Sequence, residues 1–184
     1  MKYLKRLITA CFLSITVTST SIVAEPLGQL ATVKAKTFDK EEINFPTDLT
    51  GGDKYLLFLA MGADRDNGEV QMNQLLDWQK VIDERGGLPT GIIAYHFPVM
   101  ESPPFFVKGL IRSAMADSYE GTVSSDKSGV LFVDELATFA IKAGLTLDTE
   151  PTIIVVDSSG KVLSELKGGV SEEALIKLFA MLGN

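Results

Sequence analysis

The sequence predicts one α/β domain in three layers, a mostly parallel central sheet with a C-terminal antiparallel hairpin and helices on both faces. Three observations lead there. The run Tyr55-Leu56-Leu57-Phe58-Leu59-Ala60-Met61 is apolar at every position, which a strand tolerates only when both of its faces are covered. From that run to the C-terminus, strand-like and helix-like stretches alternate, as they do when crossovers join strands of one sheet. Near the end, Asp157-Ser158-Ser159-Gly160 is a tight-turn sequence between two apolar runs, so a hairpin closes one side of the sheet.

The elements follow in order. Gln29 to Phe38 alternates Ala31, Val33 and Ala35 with Thr32, Lys34 and Lys36, and lysines on an open side suit an exposed edge strand. A loop through Phe45-Pro46-Thr47-Asp48-Leu49 and the turn pair Gly51-Gly52 leads to the central strand. The polar stretch Gly62 to Gly68 opens a helix from about Glu69 to Arg85, with Leu75, Trp78 and Ile82 at helical spacing and Gly86-Gly87 as its stop. Gly91 to Phe97 is a second buried strand. Ser102 and Pro103 read as an N-cap and first-turn proline of a helix whose apolar stripe is Val107, Leu110, Ile111 and Ala114.

Gly129 to Val133 is a short strand. Asp134 is expected to cap a helix carrying Leu136, Phe139, Ala140 and Ala143, which Gly144 ends. Pro151 to Val156 and Lys161 to Lys167 form the hairpin. Ser171 caps the last helix, with Glu172 and Glu173 in its positive first turn and Leu175, Leu178, Phe179 and Leu182 inward. No internal repeat, low-complexity tract or linker divides the chain.

The N-terminus sets the compartment. Lys2, Lys5 and Arg6 precede the mostly apolar Leu7 to Val17, and Ala24 is a small residue placed for cleavage before Glu25 and Pro26. We read residues 1–24 as a secretory signal and residues 25–184 as the domain, periplasmic in a Gram-negative cell and otherwise secreted. Seven Ser and Thr residues between Thr9 and Ser21 interrupt the apolar run, which argues against a permanent span of about 20 apolar residues. Ile8-Thr9-Ala10-Cys11 resembles a lipobox. Its apolar stretch before Cys11 is short and the run continues past it, so lipidation at Cys11 is the minor alternative.

Cleavage after Ala24 leaves 160 of the 184 residues and removes Cys11, the sequence's one cysteine. The leader carries three basic and no acidic residues, so the formal charge goes from −7 to −10. An acidic domain with dispersed bases lacks the Lys/Arg clusters that nucleic acid or anionic lipid requires. One Cys and one His exclude a disulfide framework and a Cys/His metal cluster. Neither a cofactor nor a membrane span after cleavage is expected.

The residues Leu131-Phe132-Val133-Asp134 to Ala137, Gly144-Leu145, Glu150-Pro151-Thr152-Ile153-Ile154-Val155-Val156-Asp157 and Gly160-Lys161-Val162 resemble the C-terminal half of the thioredoxin-like superfamily. The likeness is to its exported thiol oxidoreductase and peroxiredoxin-like branches, and overall to the YtfJ-like group of bacterial periplasmic proteins. Asp48-Leu49, Gly52 and the apolar strand at 55–61 match the N-terminal half in outline. The resemblance implies a Cys-x-x-Cys pair a few residues before Glu69, at Ala63 and Asp66. Neither is a thiol, and the chemistry depends on a thiolate at a helix N-terminus. Dithiol exchange and cysteine peroxidase activity are therefore disfavoured for the mature chain. The resemblance also implies a cis Glu150-Pro151 bond facing the 63–66 loop, beside a groove that takes an extended peptide.

The candidate binding residues are Asp64, Arg65, Asp66, Asn67, Glu150, Pro151, Pro98, Met100 and Phe105; no catalytic or metal-ligating residue is assigned. Asp64, Asp66 and Glu69 are the donor types a hard cation takes, but aligning Gly68 with the sixth position of a calcium loop puts Ala63 and Arg65 where ligands belong. Capping of a helix start is the simpler reading. His96, beside Phe97-Pro98, is a possible base with Glu101 as partner, but the sequence places no nucleophile near it, and a structural histidine is the simpler reading. Lys108 and Arg112, four apart, read as a solvated face or an acceptor for an anion. The proline-stiffened 98–106 loop, with Phe105 and Phe106, either docks a partner or tucks beneath the sheet.

These readings converge on an exported thioredoxin-like domain without redox cysteines that binds an envelope protein or extended peptide, in an assembly or chaperone-type role. The alternatives are an enzyme with a site rebuilt on the 63–69 loop, and a partner of a thiol-disulfide oxidoreductase.

Overall fold

The computed structural model describes residues 27–62 and 64–183. The signal sequence, Ala24, Glu25, Cys11 and Ala63 lie outside the described residues. The apolar segment at 55–61 supplies the central strand, here numbered β4 (Lys54–Leu59), after β1 (Gly28–Gln29), β2 (Val33–Thr37) and β3 (Glu42–Phe45). It is followed by α1 (Arg65–Glu84), β5 (Ile92–His96), β6 (Val99–Glu101), α2 (Phe105–Tyr119) and β7 (Gly129–Val133). The chain ends with α3 (Leu136–Ala143), β8 (Thr152–Asp157), β9 (Lys161–Lys167) and α4 (Glu172–Leu182).

Strand order is β1-β9-β8-β4-β5 in one sheet and β3-β2-β7-β6 in the other. A parallel bridge between His96 and Ser128, and the Val99 N–H donated to the Ala60 carbonyl at 2.8 Å, join the two into one twisted surface. The pleat of β4 sorts its side chains. Leu56, Phe58 and Ala60 pack with Ile153 and Val155 against Leu75, Trp78 and Ile82 of α1 and Leu175, Leu178 and Leu182 of α4. Leu57 and Leu59 face the other way, with Ile154 and Val156, toward Phe139, Ala140 and Ala143 of α3. Burying each such Leu or Phe side chain contributes roughly 1.5–3 kcal/mol, which is why an uninterrupted apolar run reads as the middle of the sandwich.

The three-layer arrangement stands as expected, and the pairings refine it. β4 runs parallel to β5 but antiparallel to β8, and the other parallel pair among the described strands is β6 with β7, so the sheet is mixed. Strand–helix alternation shows that a crossover is made, not the direction of the strand it reaches.

Several boundaries differ from the sequence reading. The strand expected over 29–38 breaks at Leu30, whose N–H binds the Gly160 carbonyl, so β1 pairs with β9 while β2 pairs with β3 and β7. β2 is thus an inner strand, because alternation specifies a strand without specifying its neighbours. β3 and β6 lie where loops are expected; with four and three residues they are too short to show a period. The helix at 105–119 starts after Ser102, whose N–H is used by the Val133 carbonyl at 2.7 Å, and Pro104 takes the cap position without a side-chain bond. Glu135, not Asp134, precedes α3.

The cis proline bond is also placed differently. It is Phe45–Pro46, and Glu150–Pro151 is trans. At 148–152 the Glu150 N–H closes a turn on Asp148 Oδ1, and Pro151 enters β8 with its carbonyl bound by the Gly168 N–H, geometry that an ordinary trans bond serves.

The remaining stops and caps follow the sequence. Gly144 ends α3 at φ +70°, where a Cβ would lie 2.3 Å from the Leu27 carbonyl oxygen, so both the dihedral and the approach of the N-terminal strand require glycine. Asp157 Oδ1 accepts the Ser159 and Lys161 N–H groups in the hairpin turn, and Ser171 Oγ accepts the Ala174 N–H at the start of α4.

Candidate functional site

The segment after β4 folds tightly onto the start of α1. A Cβ at Gly62 would meet the Gly68 backbone nitrogen at 2.4 Å, so the chain passes against the first turn with no room for a side chain there. Asp64, in extended conformation, accepts the Asn67 N–H on Oδ1 at 2.9 Å and caps α1 four residues earlier than the sequence pattern suggests. Its carboxylate, with Asp66 in the first turn, occupies the positive end of the helix.

Gln71 ties this helix start to its neighbours. It is fully buried, accepts the Met61 N–H at 2.8 Å, and donates to Asn67 Oδ1 at 2.9 Å and to the Asp148 carbonyl at 3.2 Å. Asn67 Nδ2 donates to the Thr149 carbonyl at 3.0 Å. Asp148 is held in turn by Lys167 at 2.8 Å. Desolvation works to raise the Asp148 carboxyl, but the hydrogen bonds from Lys167 and the Glu150 N–H outweigh it and keep the carboxyl below the ordinary range. Replacing Gln71 by leucine keeps the volume but orphans the buried Met61 N–H. We expect a loss of about 1–3 kcal/mol in denaturant unfolding, and faster amide exchange at Met61; wild-type stability would show that the bridge contributes nothing.

Beside this helix start runs an open groove of about 780 Å³. Its walls are the first turns of α1 (Asp64, Arg65, Gly68, Glu69, Met72), the β6 segment (Pro98, Val99, Met100, Glu101), the inner face of α2 (Ile111, Ala114, Met115, Ser118) and Leu136 of α3. The fold therefore brings together four of the candidate residues, Asp64, Arg65, Pro98 and Met100. Asp66 and Asn67 belong to the same helix start but do not line the groove. Pro151, two residues past the Thr149 that Asn67 binds, is buried, and exposed Glu150 lies near Gly168; neither lines the groove. Phe105 projects outward, 89% exposed, as does Phe106 at 83%. The sequence does not single out Met72 and Met115, since a groove wall and a core face have the same helical period.

The packing of α2 explains the groove. Lys108 Nζ and the Arg112 guanidinium carbon lie 5.2 Å and 5.0 Å from the centre of the Phe132 ring on β7, so α2 lies over the sheet through its cations. Both side chains are half-buried against that ring, so of the two readings of this pair it is the solvated face that is corrected. This packing also turns the expected apolar stripe: Ile111 faces the groove, and Leu110 is 72% exposed.

His96 is fully buried, off the groove, stacked on Phe58 at 4.2 Å between ring centres and edge-on to Tyr119. Its Nε2 lies 3.0 Å from Gln79 Oε1. Gln79 Nε2 donates to Asp83 at 2.9 Å, so the Gln79 oxygen faces the ring and the imidazole proton sits on Nε2. Burial lowers its pKa to about 3. The histidine is structural.

Fold and site together define a thioredoxin-like α/β domain whose helix start after β4 carries carboxylates and an open groove, with no cysteine among the described residues. No protein-family model matches the sequence, and no curated protein matches it. Solved structures do. BsSco, a member of the Sco family of cytochrome c oxidase assembly proteins, aligns with TM-score 0.55 and 15% identity over 86% of this chain and 95% of its own. A protein of Aquifex aeolicus described as an electron transport protein gives TM-score 0.58 and 12% identity, over 86% and 96% of the two chains. A thiol:disulfide interchange protein from Bacteroides gives 0.50 and 12%, over 88% and 92%. At these identities the likeness establishes the fold that this chain shares with thiol-disulfide and electron-transfer proteins.

Proposed function

We propose that this chain is a non-redox, thioredoxin-fold binding protein of the cell envelope, which holds a segment of another protein in the groove between α1, β6 and α2 as an assembly or chaperone-type factor. The observation that carries the reading is the groove itself: about 780 Å³, open, walled by Met72, Val99, Ile111 and Met115, and lying at the helix start where sulfur chemistry would need a thiolate. Phe105, Phe106 and Leu110 extend apolar surface along the same helix, and exposed aromatic surface of this kind marks interaction sites. The signal-like N-terminus of the sequence supports an envelope location.

The test is photocrosslinking from single positions in intact cells. A benzophenone side chain at Met100 or Ala114 should capture a defined protein segment, mapped by mass spectrometry. The same group at Ile141, exposed on α3 away from the groove, should not. Equal yields from all three positions, or none from the groove, would overturn the proposal.

A further inference from the structure

Resting on that reading, we infer that the groove selects a segment carrying both apolar and cationic side chains. Two independent features of the groove point to it. First, three methionines from three different elements, Met72 of α1, Met100 of β6 and Met115 of α2, contribute to its wall. An unbranched thioether with three rotatable bonds adapts to side chains of different shape, so a methionine-lined wall accepts apolar residues generally rather than one residue exactly.

Second, the groove is acidic. Asp64, Glu69 and Glu101 line it against one base, Arg65. Glu69 is exposed and makes no ion pair among the described residues. Asp64 uses one oxygen to cap α1, and Glu101 Oε1 faces the Leu136 N–H at 3.5 Å, so each keeps carboxylate oxygen for an incoming donor. The whole chain has formal charge −7. An acidic segment, or a second copy of this chain, would bring like charge to these carboxylates. A Lys- or Arg-bearing apolar segment brings the complement, which steers encounter and fixes register while the thioethers take the apolar side chains.

The experiment uses three fluorescein-labelled ten-residue peptides in which leucine alternates with lysine, glutamine or glutamate, titrated against the purified protein by fluorescence anisotropy. The leucine/lysine peptide should bind about tenfold more tightly than the leucine/glutamine one, and the leucine/glutamate one weakest. The advantage should shrink as salt rises. Glu69→Gln should reduce it about threefold with thermal unfolding unchanged, and Ala114→Trp, which fills the groove from α2, should remove leucine/lysine binding. Equal binding of the lysine and glutamine peptides would sink the charge preference and leave the function reading standing. Leucine/lysine binding that survives Ala114→Trp would also sink it, as attraction elsewhere on the surface. Failure of all three peptides to bind would take the function reading down as well.

Discussion

Replacing Trp78 by alanine lowers the unfolding free energy by about 3–5 kcal/mol, the largest single-residue loss we expect. Trp78 is fully buried in the layer between the sheet and helices α1 and α4, among Leu75, Ile82, Leu175 and Leu178. Its loss opens a cavity against two helices and two strands at once. Its indole N–H also donates to the Gly168 carbonyl at 2.9 Å, at the turn that carries the chain from β9 to α4. Trp78→Phe separates the two contributions, because it keeps most of the apolar volume and loses the donor; about 1–2 kcal/mol of destabilisation is expected for it. Far-UV circular dichroism in urea is the suitable measurement, since this is the sequence's one tryptophan and both variants lose the fluorescence signal. An alanine variant within 1 kcal/mol of wild type would mean that the layer refills, contrary to the packing described above.

What could be read from sequence divides along the range of the forces involved. Trp78, the both-faces-buried strand at 55–61, the Asp157 turn, the Gly144 stop and the Ser171 cap are all marked by patterns legible within a few residues of sequence, and each is found where the pattern puts it. Expectations that needed a partner from elsewhere fared differently. Ser102 looks like an N-cap, but its N–H donates to the Val133 carbonyl, which carries the β6–β7 pairing through it, and the helix begins three residues later. The alternation at 29–38 does not disclose that the chain changes neighbours at Leu30.

The site follows the same rule. Asp64 and Arg65 are recognisable as a polar helix start, and Pro98 and Met100 as a stiff apolar loop. That the two form one groove depends on α2 lying on Phe132 through Lys108 and Arg112, a tertiary contact with no local signature. The same contact leaves Phe105 and Phe106 outside. Gln71, the residue that ties the helix start to the Asp148–Thr149 segment, sits on a helix face with nothing in its spacing to mark it.

Acid should destabilise the fold through His96 in a defined window. Burial lowers its pKa from 6.5 to about 3, so the unfolded chain binds the proton and the folded one does not at any pH between those values. Stability from this group is therefore complete well above pH 6.5 and is lost progressively as pH falls toward 3, by about 2 kcal/mol at pH 5 and about 5 kcal/mol in full. Charging the ring would need an acceptor at Nδ1, which has no partner, in a pocket closed by Phe58 and Tyr119. Asp126, Asp148 and Asp157, whose carboxyls lie below their ordinary values, add their own loss as pH falls through the usual carboxylate range and beneath it. The comparison of wild type with His96→Gln cancels that common part: urea unfolding between pH 6.5 and 5 should show a slope in the first and almost none in the second, and equal slopes would refute the assignment. Because Phe97 binds the Phe58 carbonyl and Pro98 is the next residue and a wall of the groove, the histidine that anchors the end of β5 also anchors the binding surface. Acid unfolding that begins with protonation at His96 should therefore abolish peptide binding along with the far-UV signal.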